Sequence, residues 1–156
     1  MTTLALEALA LVGETVYAGS VIAFALLLFF RSKVGPSERV VRVFRAWGPG
    51  QGLAMGALIL GNAGLFYLSQ GAFEWALRTP VEIAEALQQG VFLLLWASSF
   101  HLEIWTLDPC RQLDGPEGVT DRGAYEKAVR RVTAQIGLNV VLLTICGGLG
   151  LFIQSL

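Results

Sequence analysis

Polar side chains inside otherwise apolar runs are the residues of this sequence able to do chemistry. A first group comprises Glu14, Asn62, Glu85, Gln88 and Gln89. A second comprises Ser98, His101, Glu103, Gln135 and Asn139. On a helix, Glu85 shares a face with Gln88 (i,i+3) and with Gln89 (i,i+4). Carboxylates close together in an apolar setting raise one another's proton affinity. Glu14 and Glu85 are therefore candidate carriers of a cation or a proton. The plainer reading leaves both acids solvated, a turn or two from a span end. In the second group, Ser98 pairs in spacing with His101 (i,i+3), Ser99 with Glu103, and Gln135 with Asn139 (both i,i+4). His101 and Glu103 are two apart and point to different faces. His101 would serve as a ligand or proton relay; the plainer reading makes these residues interhelical hydrogen-bond glue.

The inventory excludes other chemistry. His101 is the single histidine, so one copy cannot supply both axial ligands of a bis-histidine haem. Two Met, one His and two separated Cys make a poor copper-binding set. Cys110 and Cys146 fall in different expected compartments, which argues against a disulfide between them. No P-loop, GxSxG, HExxH or dinucleotide fingerprint is present. With a net charge of −1 the chain lacks the basic excess of a nucleic-acid binder. These absences lean away from an enzyme of soluble type.

The elements that must position these residues are membrane spans. Of 156 residues, 54% are hydrophobic and 15% charged, against about 25% charged in soluble domains, and mean hydropathy is +0.62. The bilayer is the solvent that suits such a chain. Apolar runs cover about 9–30, 52–69, 83–107 and 132–156. Each is near the roughly 20 residues needed to cross the hydrocarbon. The expected fold is one all-α bundle of four transmembrane helices. The breaks are chemical: Gly35-Pro36-Ser37, Gly48-Pro49-Gly50, Thr79-Pro80, Asp108-Pro109 and Asp114-Gly115-Pro116. Thr120 or Asp121 is the expected cap of the last helix. The first Lys or Arg is Arg31, after Glu7 and Glu14, so the first run reads as a retained helix and not a signal peptide.

Charge placement sets the orientation. All eleven Lys and Arg lie outside the spans, distributed zero, five, one, five, zero from N-tail to C-tail. The positive-inside rule places loops 31–51 and 108–131 in the cytoplasm and both termini outside. The first polar group then forms an outer layer and the second an inner one. Tyr17, Trp47, Tyr67, Trp75, Trp105 and Tyr125 read as interfacial aromatics. Arg39, Arg42 and Arg45 recur every third residue along one face of a short amphipathic helix, suited to anionic lipid or another anion. Gly52 and Gly56 form GxxxG, and Gly61 continues the small-residue stripe, which suits packing within the chain or at a subunit interface.

Two family resemblances follow from particular segments. The stretch Ser98-Ser-Phe-His-Leu-Glu-Ile-Trp-Thr-Leu-Asp108-Pro109, followed by Arg130-Arg131 and Leu138-Asn139, resembles copper-resistance-D-type membrane proteins over about half the chain. That resemblance implies a four-helix membrane module, sometimes linked to copper uptake. This sequence departs from it in lacking metal-ligand clusters. Glu38-Arg39-Val40 with Arg45-Ala46 resembles the MAPEG enzymes, glutathione-dependent four-helix trimers. Here the chain continues Trp47-Gly-Pro-Gly-Gln51, without the polar residues of that motif.

Three function classes fit these readings. The first is a non-catalytic subunit or scaffold of a larger membrane complex. The second is a small transporter or metal-handling protein using Glu14, Glu85 and His101. The third is a MAPEG-like enzyme using the Arg39–Arg45 face. The expected surroundings are the lipid bilayer of a bacterial inner membrane, with other membrane subunits or further copies of the chain as partners.

Overall fold

The computed structural model describes residues 3–30, 37–70, 79–115 and 118–155. Arg31, Lys33, the Gly35-Pro36 break, Trp75, Arg78 and Pro116 lie outside the described residues. Helix α1 covers Thr3–Phe29, α2 Ser37–Gln70 and α3 Pro80–His101. A wide π turn, Leu102–Thr106, leads into the short α4, Asp108–Leu113. The two-residue strands β1 (Asp114–Gly115) and β2 (Gly118–Val119) pair antiparallel, and α5 runs from Arg122 to Ser155. Gly118 turns the chain at φ +112°, a conformation open to glycine and costly for other residues. The fold is all-α, as expected. The stretches Thr3–Phe29, Pro80–Leu113 and Arg122–Ser155 are long and apolar enough to cross a bilayer. This is a membrane protein.

Local chemistry sets the helix ends. Thr79 caps α3 by accepting from the Glu82 N–H at 3.2 Å, while Glu82 Oε2 accepts from the Thr79 N–H at 3.0 Å, a reciprocal capping box. Asp121 caps α5 by accepting from the Ala124 N–H at 3.0 Å. The break expected at Asp108-Pro109 takes the form of a widened ladder. The Leu107 N–H donates to the Leu102 carbonyl at 3.0 Å, and Pro109 then sits in the first turn of α4. A missing N–H costs nothing there.

Gly48-Pro49-Gly50 departs from expectation: α2 passes through it without interruption, so the amphipathic basic segment and the second apolar run form one helix. Pro49 forfeits a single backbone bond, to the Arg45 carbonyl. Packing on both sides holds the helix in line, because Val40, Val41 and Phe44 ahead of the proline are as buried as Ala54 and Leu58 behind it.

The helices associate as two antiparallel hairpins. Along α1 and α2, Phe24 meets the Phe44 ring edge-on at 4.4 Å, and Gln51 donates to Ser20 Oγ at 2.9 Å. Farther along, Gly13 abuts Ala54 and Leu58, Gly61 abuts Ala10, and Gly64 abuts Leu6. Lipid supplies no hydrophobic force between helices, so such backbone-close approach carries the association. In the other hairpin, Gln88 of α3 donates to the Cys146 carbonyl of α5 at 3.3 Å. The bundle's outer surface is apolar, with Leu53, Leu60, Leu94 and Leu151 all exposed.

The two hairpins meet where α1 rests on α5, whereas α2 and α3 touch little. Their spatial order is therefore α2–α1–α5–α3, with a seam between the first and last. At about 100° per residue, Ala54, Leu58 and Gly61 share the face of α2 that meets α1. Gly48, Gly52, Gly56 and Ile59 fall on the opposite face, which borders the seam. An Ala side chain at position 13 would come within 2.5 Å of the Leu58 backbone N and 2.6 Å of the Ala54 carbonyl, whereas one at position 52 would meet nothing within 4 Å. Gly13→Ala should lower unfolding free energy in detergent by about 1–3 kcal/mol. Gly52→Ala should stay within about 0.5 kcal/mol of the parent. Equal losses in thermal or denaturant melts would contradict this division of the two faces.

Candidate functional site

The seam holds a cavity of about 280 Å³ bounded by α1, α2, α3, the π turn and α5. Its floor carries a network of neutral hydrogen bonds. Ser99 Oγ donates its one proton to the Leu95 carbonyl of its own helix at 2.8 Å. That oxygen is then left to accept, from the Tyr17 hydroxyl of α1 and from Asn139 Nδ2 of α5 at 3.3 Å. The adjacent Ser98 hydroxyl donates to Asn139 Oδ1 and accepts from Gln135 Nε2 at 2.5 Å. Three helices are tied through two serines. Asn139 is 1% exposed and Tyr17 2% exposed, so both are satisfied inside the bundle. Bonds of this kind contribute roughly 0.6 kcal/mol each in membranes, up to about 1.7.

Glu103 stands apart from this network. It lies in the π turn, which turns its carboxylate toward α2. Arg111 Nη2 donates to Glu103 Oε2 at 2.9 Å, while Oε1 is buried without a hydrogen-bond partner among the described residues. The carboxylate closes the seam at one end, lying so near Gly48 that any Cβ there would run into it. π turns recur at functional sites because they re-aim a side chain without ending the helix.

The structure distributes the sequence candidates as follows. Ser98, Gln135 and Asn139 come together in the network. His101 is exposed beside it, its Nδ1 at 3.1 Å from the Thr106 hydroxyl and its ring 5.5 Å from that of Trp105. In the outer layer, Glu14, Asn62, Glu85 and Gln89 are exposed on the bundle surface. Asn62 bonds only to the Leu58 carbonyl of its own helix, and Gln88 reaches α5. Among the described residues, no three of His, Cys, Asp and Glu converge as a metal-holding group. Of the small-residue stripe, Gly61 packs on Ala10, while Gly52 and Gly56 face open space in the seam. Tyr17, read from sequence as an interfacial aromatic, is a buried donor instead. Its place in the middle of the first apolar run, far from either end, was the available signal. The Gln51–Ser20 bond and the Gly13 contact also went unread.

The basic segments meet at the end of the bundle that Glu103 closes. Asp114 receives two hydrogen bonds from Arg42, from Nε at 2.9 Å and from Nη2 at 2.5 Å, with Arg45 at 3.7 Å. Arg39 is exposed. Two of the three arginines expected to face lipid or another anion thus hold a carboxylate of the second connection. Below them, Val41, Phe44, Leu107, Tyr125 and Val129 pack in one cluster.

The hydrogen bond from Arg42 and the charges of both arginines hold the Asp114 carboxyl below its ordinary pKa. A lowered folded-state value stabilises the fold above the unfolded pKa of about 3.9 and is lost as pH falls through the folded value. Arg42 is more than half exposed, so the pair contributes roughly 0.5–1 kcal/mol. Melts of purified protein should show the difference between parent and Asp114→Asn at pH 7 vanishing near pH 2. A difference that persists there would mean the carboxylate is not the source.

The chain matches no family model, no curated protein and no solved structure.

Proposed function

We propose that this chain is a four-span protein of the bacterial inner membrane, with both termini outside the cytoplasm, that acts as a non-catalytic membrane component. Its working surface is the seam between α2 and α3, where it receives an occupant from within the membrane. The observation that carries this reading is the unequal closure of the bundle. Every other helix neighbour is joined by glycine contacts or hydrogen bonds, while Gly52 and Gly56 border a cavity. Mostly apolar walls with a few convergent polar groups are the usual make-up of a binding site. The polar groups of the floor are spent on neutral bonds between helices, which favours holding over chemistry. The 52–69 stretch runs beside α1 for its length, in support of a fourth span. The two basic connections meet at one end through Arg42 and Asp114, in support of a single cytoplasmic face.

Two experiments test this. Alkaline phosphatase fused after Leu156 should be active and a fluorescent protein fused there dark, with the reverse for fusions in the 114–119 hairpin; the opposite pattern would overturn the orientation. A photo-reactive phenylalanine at Phe100, on the seam wall, should give one discrete adduct on irradiation of native membranes. The same probe at Val141, exposed on α5, should give only diffuse lipid labelling. Indistinguishable labelling at the two positions would remove the seam as the working surface.

A further inference from the structure

We infer that the occupant of the seam is an uncharged, membrane-soluble molecule with a hydroxyl head, which donates a hydrogen bond to Glu103 Oε1 while its apolar body lies along α2 from Gly48 toward Ile59. The inference rests on the seam being a binding site and adds the chemistry of what binds.

Proton accounting supplies the first support. Ser98, Ser99, Tyr17, Gln135 and Asn139 already bond to one another. Gln51, also on the cavity wall, donates to Ser20. Glu103 Oε1 is the buried acceptor left without a donor at the cavity. A buried acceptor in that condition costs about 1–3 kcal/mol, and more when charged. A donor entering the cavity relieves that cost.

Charge decides what kind of donor. Arg111 already neutralises Glu103 through Oε2 at 2.9 Å. A cationic head would meet a neutral pair one turn from Arg45 and would gain little. An anionic head would meet the carboxylate. An aliphatic amine is protonated near neutral pH and falls with the cations. A hydroxyl donates one proton and carries no charge, so it satisfies Oε1 without disturbing the Arg111 bond.

Shape decides the body. From Gly48 to Ile59 is eleven residues, roughly 16 Å of helix at 1.5 Å per residue. Gly52 and Gly56 leave this wall flat, and the rings of Phe44, Trp96 and Phe100 line the remainder. The space is long, narrow and apolar, with its one unmet acceptor at an end. Weak contact between α2 and α3 leaves a lateral way in from the hydrocarbon.

The test uses the full chain in detergent and two probes of matched shape, 4-hexylphenol and its methyl ether, which cannot donate. Calorimetric titration should give saturable binding of the phenol, at least about tenfold tighter than the ether. Glu103→Met should reduce that preference to near unity while retaining the ether's affinity. Gly52→Leu, which fills open space without touching a helix contact, should abolish binding of both probes. This variant keeps the site testable should Glu103→Met fail to fold. Equal affinity of the two probes for the parent would overturn the hydroxyl inference while leaving the seam a binding site. No binding of either probe, together with a protein adduct at position 100, would replace the small molecule with a partner helix. No binding and no discrete adduct would remove both readings.

Discussion

The single proton of the Ser99 hydroxyl governs how this bundle is assembled. Because it is spent on the Leu95 carbonyl, the oxygen accepts, and two other helices must come to it with donors. Tyr17 and Asn139 do so from opposite sides. The hairpins α1/α2 and α3/α5 are each complete as pairs, one through glycine contacts and one through amide bonds. Ser99 makes them one structure. In hydrocarbon no water competes for these groups, so a donor left out has no alternative partner.

That arrangement also explains why the seam lies where it does. The network and the α1–α5 contact draw the hairpins together on one side. Nothing equivalent acts between α2 and α3, where α2 presents glycines and α3 presents Trp96 and Phe100. At the end near the basic segments, Glu103 and Gly48 meet and close the gap. The π turn makes that closure available by reorienting the chain between His101 and Thr106, so that residues two apart serve different surroundings.

Much of the fold was legible because membranes impose simple rules. Apolar length gave the helices, proline and its predecessor gave the turn after Leu107, and the Thr79–Glu82 spacing carried its own capping signature. What resisted reading was rotation. Gly52, Gly56 and Gly61 look alike as a stripe, yet only Gly61 meets α1, since which face of α2 is covered depends on a partner whose own rotation the sequence leaves open. The same holds for Tyr17: its hydroxyl is an interfacial anchor or a buried donor according to what α3 brings alongside. Pro49 failed as a signal for a related reason, because tertiary packing on either side outweighs one missing bond. Glu103 was visible as an acid near a span end, but its relation to Gly48 depends on the π turn, which no spacing rule supplies.

The Arg42–Asp114 pair has a bearing on how the protein is made. Its partners are 72 residues apart in the chain. At roughly 5–20 residues per second, Asp114 leaves the ribosome about 4–14 s after Arg42. For that interval the first hairpin has its basic end unmatched and its Tyr17 hydroxyl without Ser99 in place. Residence in the membrane during synthesis therefore passes through a half-built stage, in which the nascent hairpin depends on lipid headgroups, or on the insertion machinery, for the contacts its second half later provides.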